Sequence, residues 1–128
     1  MVQDDAIRYP AGRYVADPPV DAEGRARRIE QIAACPGRLA DAIAGLDDGQ
    51  LGSPYRPGGW TLRQVVHHLP DSHMNAYLRF KLALTEESPT IRPYFEDRFA
   101  RLADSETPPR STFPWPFSRL STPAGWGF

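Results

Sequence analysis

Two stretches of the chain carry apolar residues at helical spacing. In the first, Ile29, Ile32, Ala33, Leu39, Ala40, Ile43 and Leu46 recur at intervals of three, four, six or seven, as one buried face of a helix does. This predicts a helix from about Ala22 to Leu46, broken or kinked at Pro36-Gly37. In the second, Leu62, Val65, Val66, Leu69, His73, Ala76, Tyr77, Phe80 and Leu84 form a continuous stripe. Thr61 and Gln64 have the spacing of a capping box, so this helix is expected to begin at Thr61 and end near Glu86. Pro70 interrupts it. A proline in a regular interior removes a backbone donor and crowds the carbonyl four residues back, here Val66, at a cost of roughly 3 kcal/mol.

Between and around these stretches the pattern fails. Residues 1–20 read as an extended leader, because Tyr9-Pro10-Ala11-Gly12 and Asp17-Pro18-Pro19 forbid regular helix. Asp47 to Gly59, rich in glycine and proline, reads as a loop. Past Pro89 and Pro93, a short third helix is predicted from Tyr94 to Ala103, with Phe95, Phe99 and Leu102 as its apolar positions. Residues 105–128 contain five prolines and no Ile, Val or Met. Their aromatic residues follow neither a helical nor a strand period, so an irregular tail is expected. The predicted fold is all-α, with residues 1–104 forming the helical part and 105–128 the Pro-rich tail.

Composition narrows the partners. A chain of 128 residues holds one modest core. A net charge of −1 gives no basic footprint for nucleic acid, and no apolar run reaches about 18 residues, so no membrane span is expected. The acidic N-terminus does not resemble a secretory signal. The single cysteine, Cys35, excludes an internal disulfide framework and fits a reducing cytoplasm; a small buried apolar role suits it best.

All three histidines lie in the second helix, at His67, His68 and His73, and none follows in the remaining 55 residues. His73 falls on the apolar stripe and reads as a satisfied core residue. His67 reads as a surface residue or one that supports a ligand. His68 lies beside the stripe with Asp71 three residues on and Ser72 one turn on, so metal ligand and core residue both remain open for it. His68 and His73 are about 140° apart around a helix and cannot chelate one ion from it. His68 with Asp71 gives two ligands, whereas zinc sites take three or four protein ligands. Trp60 reads as a hydrophobic staple at the helix start, with a pocket wall as the alternative, and Arg56, Arg63 and Arg79 read as a solvated face, with contact to an anionic substrate as the alternative.

A run of phrases adds to this reading. They are Arg8-Tyr9-Pro10-Ala11-Gly12, Pro54-Tyr55-Arg56-Pro57-Gly58-Gly59-Trp60-Thr61, Arg63-Gln64-Val65-Val66-His67-His68-Leu69, Asp71-Ser72-His73-Met74-Asn75-Ala76-Tyr77, Arg79 to Glu87, and Ile91-Arg92-Pro93-Tyr94. In nearly unbroken order over residues 8–104, they resemble the DinB/YfiT-like family of metal-dependent hydrolases, which includes bacillithiol S-transferases. The resemblance implies a four-helix up-and-down bundle, of which this chain would hold two long helices and a short third. It also implies a zinc or nickel ion held by three histidines, one on the second helix and two in an H-x-x-x-H pair on the last. The second-helix ligand is the histidine directly before Leu, which is His68 here; the other two have no counterpart. Such an ion activates a coordinated water or thiol at neutral pH, so the implied partners are a small-molecule thiol and its electrophile, or a hydrolysable substrate.

Two departures stand out: Pro70 where the family has Ala, and Phe95 where it has an acidic residue. Read one base out of frame with GC-rich codons, Ser118 to Phe128 gives Glu-Ala-Leu-His-Ala-Arg-Trp-Val-Gly-Phe, similar to the family's third helix. The sequence therefore predicts a chain truncated or frameshifted after about residue 104, with an incomplete metal site, no metal of its own and no activity. Its uncovered apolar stripes predict that the chain dimerises, aggregates or stays molten. The alternatives are a non-catalytic helical interaction module and the product of a disrupted gene.

Overall fold

A computed structural model describes residues 6–10, 12–16 and 18–106. The irregular tail expected over 105–128 lies outside these residues except for Ser105 and Glu106. Among the described residues the architecture is helical: α1 (Ala22–Ile43), α2 (Asp48–Leu51), α3 (Leu62–Thr85), α4 (Glu96–Phe99), and a closing 3-10 turn at Ala103–Glu106. The leader is not wholly extended, since residues 6–8 make one helical turn before Pro10.

Helix α1 starts where Asp21 accepts a hydrogen bond from the Gly24 N–H at 2.7 Å. It ends three residues earlier than its apolar spacing predicts. Gly45 takes a left-handed φ of 81° and the Leu46 N–H turns back to the Ile43 carbonyl, the usual way a glycine stops a helix. The predicted break at Pro36 does not occur, and α1 is continuous through it. Ile32, whose carbonyl loses its donor, is exposed, so water can take the donor's place.

Helix α3 matches its expectation closely. Thr61 accepts from the Gln64 N–H at 3.2 Å, and the Gln64 side-chain oxygen accepts from the Thr61 N–H at 2.9 Å, which completes the capping box. The helix passes through Pro70 and stops at Thr85. Here Val66 and Pro70 are both buried, so the proline is harder to accommodate than in α1.

The predicted third helix shrinks to the single turn α4, because Phe95, Phe99 and Leu102 remain exposed and gain nothing from a longer helix. The Asp47–Gly59 loop contains a turn of helix that its composition hides. Asp47 and Gln50 form a second capping box, and Leu51 is buried behind it. The most extensive packing joins α3 to the 3-10 turn and to α2. Leu51, Val66 and Ala100 form the small apolar core.

Arg63 ties these pieces together. It donates to the Glu106 carbonyl at 2.8 Å and to the Asp48 carboxylate at 3.0 Å, and its side chain is only 15% exposed. Arg63 is therefore a structural tie and not part of a solvated face. No described helix is long and apolar enough to cross a membrane.

Candidate functional site

The site is built on the turn that precedes α3. The Gly59 N–H bonds the Arg56 carbonyl at 2.9 Å across Pro57 and Gly58, with Gly58 at φ 68°. This is the arrangement of a type II turn, which favours proline then glycine at its centre. Flanking bonds from the Tyr55 N–H to the Trp60 carbonyl and from the Leu62 N–H to the Ser53 carbonyl, both 3.0 Å, fasten the two arms. The arms deliver Trp60 to the first turn of α3.

Trp60 meets His68 in an edge-to-face arrangement, with ring centroids 4.9 Å apart and planes at 64°. On His68's other aromatic contact, Tyr94 stacks at 6.3 Å and 22°, and Phe99 packs against Tyr94 at 5.1 Å. Two long-range bonds hold the 94–106 segment here. The Trp60 Nε1–H donates to Asp97 at 3.0 Å, and the Gln64 side-chain amide donates to the Ala100 carbonyl at 2.7 Å. Trp60 thus serves as a wall between His68 and the space outside it, the alternative that the sequence leaves open beside a staple.

The three histidines receive different environments. His73 is half-buried, with its Nδ1 2.8 Å from the Leu69 carbonyl, as a satisfied core histidine requires. His67 is buried, which corrects its reading as a surface residue. The Nδ1 of His68 is buried with no hydrogen-bond partner among the described residues. Such an atom costs about 1–3 kcal/mol while it stays unpaired, and it is suited to donate its lone pair to a cation.

Neighbouring groups feel the same burial. The Asp71 carboxyl is raised above the ordinary aspartate range, first by burial and then by Asp104, while His68 and His67 pull it back. The Tyr94 hydroxyl is also raised, chiefly by burial, against a lowering hydrogen bond from Ser72. Yet no three His, Cys, Asp or Glu side chains among the described residues are placed to hold one metal ion. His68 fits the role of a ligand, but the described residues do not make a site.

Outside Trp60 an open cleft of about 740 Å³ is lined by Arg8, Tyr9, Tyr55, Arg56, Gln64, Glu96, Asp97 and Arg101, among others. His68 is not in its lining; Trp60 belongs to both. Sequence reasoning misses Asp97 and Tyr94, because no periodicity signals a contact between residues so far apart in the chain.

Comparison with known proteins gives one consistent result. Residues 31–123 match the DinB superfamily. A protein of Bacillus cereus and one of Bacillus anthracis, each named "Putative metal-dependent hydrolase", are 53% identical over 102 residues. The match covers 80% of this chain and 59% of each relative. The solved structure of YfiT from Bacillus subtilis, described as "a probable metal-dependent hydrolase with an unusual four-helix bundle topology", is similar with a TM-score of 0.76 and 49% identity. That match covers 80% of this chain and 58% of YfiT. The chain therefore spans about three-fifths of the length of the relatives it matches, and its two long helices correspond to part of a four-helix bundle.

Proposed function

The chain belongs to the DinB superfamily, and from that membership we propose that it derives from a metal-dependent hydrolase or thiol S-transferase in which His68 is one ligand of a zinc or nickel ion. The observation that supports this reading is the His68 ring nitrogen, buried beside Trp60 and Tyr94 without a hydrogen-bond partner among the described residues. The remaining ligands would come from outside the described residues, where this chain has no further histidine. The chain alone accordingly binds no metal tightly and is inactive. The reaction would take place in the cytoplasm on a small-molecule thiol and electrophile, or on a hydrolysable substrate, with no part for nucleic acid or membrane. The chain would associate as a dimer.

The residues present have defined parts in this reading. His68 offers its lone pair, Trp60 and Tyr94 hold the imidazole plane, and Asp71 places a carboxyl close to it. The test is metal content. The purified chain, and the chain mixed with the C-terminal two-fifths of a homologous hydrolase, are each analysed for bound zinc and nickel, with and without His68→Ala. Stoichiometric metal only in the mixture, lost on His68→Ala, supports the reading. Equal metal in the mixture with and without His68→Ala refutes the assignment.

A further inference from the structure

Two of the phrases that mark this sequence supply no metal ligand, and they meet in the cleft outside Trp60. Arg8-Tyr9 comes from the leader and Tyr55-Arg56 from the turn before α3, and all four residues line it, together with Arg101 from the segment after α4. We propose that this cleft binds the anionic group of a small molecule, a carboxylate or a phosphate, with Arg56 as its anchor and Arg8 and Arg101 at its flanks.

Arg56 is held in place before any ligand arrives. Its Nε donates to the Tyr55 hydroxyl at 3.0 Å and one terminal nitrogen donates to the Pro57 carbonyl at 3.3 Å. The guanidinium lies 5.3 Å from the centroid of the Tyr55 ring. Its Nη2 makes no hydrogen bond among the described residues and is available to an incoming oxygen. This packing requires a glycine at 59: a Cβ there would lie 2.7 Å from the Arg56 side chain and 3.0 Å from the Tyr55 ring. Glycine at 59 is what lets both side chains fold back over the turn. A planar guanidinium with its stem fixed loses little freedom on binding a carboxylate or phosphate.

The other charges of the cleft set the affinity. Arg101 makes no side-chain hydrogen bond or ion pair among the described residues. Asp97 already accepts the Trp60 indole N–H, and Glu96 opposes an anion. Three arginines against two acids leave one net positive charge in the lining. Binding is therefore roughly millimolar and sensitive to salt. Because Trp60 also touches His68, an anion here would lie across that indole from the proposed metal ligand. Only that last step depends on the proposed function; anion binding does not.

The test uses the full chain with Trp115→Phe and Trp126→Phe, so that Trp60 is the sole indole emitter, after metal has been stripped with a chelator and the chelator dialysed away. Succinate and inorganic phosphate are titrated separately at matched ionic strength while Trp60 emission is followed. A saturable change with either is expected, and the two arms identify the preferred anion. Arg56→Gln weakens binding about tenfold, the size of one lost charged hydrogen bond, and Arg56→Lys weakens it less. Arg38→Gln, an exposed substitution on α1 outside the cleft, leaves it unchanged. Far-UV circular dichroism confirms that each variant keeps its helices; if Arg56→Gln does not, Arg101→Gln replaces it, with a smaller loss expected. No saturable response to either anion, or equal weakening by Arg38→Gln, overturns the proposal. Success here with no metal bound in the His68 test separates the two readings.

Discussion

Replacing Arg63 tests whether the fold depends on a side chain that the sequence presents as a surface charge. Its guanidinium bonds the Glu106 carbonyl at 2.8 Å and pairs with Asp48 at 3.0 Å. A hydrogen bond from a charged donor contributes about 1.5–3 kcal/mol. The Asp48 side chain is 76% exposed, so that pair adds at most about 1 kcal/mol. Against this stands the Arg63 Nε, buried without a partner among the described residues, whose desolvation costs about 1–3 kcal/mol. Arg63→Met removes all three and keeps most of the stem, so a net loss of about 1 kcal/mol is expected. Arg63→Ala also removes the buried stem and raises the loss to about 2 kcal/mol. Asp48→Asn, which keeps an acceptor, costs under about 0.5 kcal/mol. Urea unfolding followed by far-UV circular dichroism measures all three. If Arg63→Ala lies within about 0.5 kcal/mol of the parent, the residue behaves as ordinary surface and the tie has no energetic weight.

Three further predictions concern other parts of the molecule. Asp71 has its carboxyl raised in the fold by burial and Asp104. Its contribution to stability is therefore complete below the unfolded value and is lost as pH rises through the folded one. Asp71→Asn accordingly gains on the parent as pH rises above 3.8, the ordinary aspartate value, and a difference that does not vary with pH contradicts the cause given. Pro70→Ala is expected to stabilise α3 by about 1–2 kcal/mol, the restored bond to the buried Val66 carbonyl being partly offset by a freer unfolded chain; an unchanged or lower unfolding midpoint counts against it. Ile29, Phe80 and Leu84 stand 60%, 67% and 66% exposed along α1 and α3. Apolar stripes of this kind rarely stay open in a monomer, so sedimentation is expected to show dimers or larger species, and a clean monomer would refute this.

What the sequence makes legible follows from where its signals are local. The capping pair Thr61 and Gln64 and the stripe behind it place both ends of α3, because cap and stripe agree on one helix. Asp47 and Gln50 have the same spacing, yet α2 is hard to read, since a single turn has no period to accompany its cap. The third helix is overread for the opposite reason. Phe95, Phe99 and Leu102 have helical spacing, but they remain exposed and the chain turns after Phe99. His68 stands out only through a resemblance; periodicity alone leaves it undecided. Of its walls, Trp60 is legible only as the alternative to a staple and Tyr94 not at all, because the bond to Asp97 and the stacking on His68 join residues far apart in the chain.

His67 and His68 show why adjacent, chemically identical residues can take different parts. One step along a helix turns a side chain by about 100°. That rotation buries His67 and brings His68 to the aromatic side, between Trp60 and Tyr94. Each buried polar atom must find a partner or bear its desolvation. His73 solves this with the Leu69 carbonyl one turn back. The His68 Nδ1 finds none among the described residues, although its ring is ordered by two aromatic neighbours, one of them fixed by Asp97. An oriented ring whose Nδ1 has no partner among the described residues suits the ligand role proposed for His68. The same Trp60 that orients it closes one side of the arginine-lined cleft. Substrate recognition and metal ligation would then share a single wall, set in place by one capped turn.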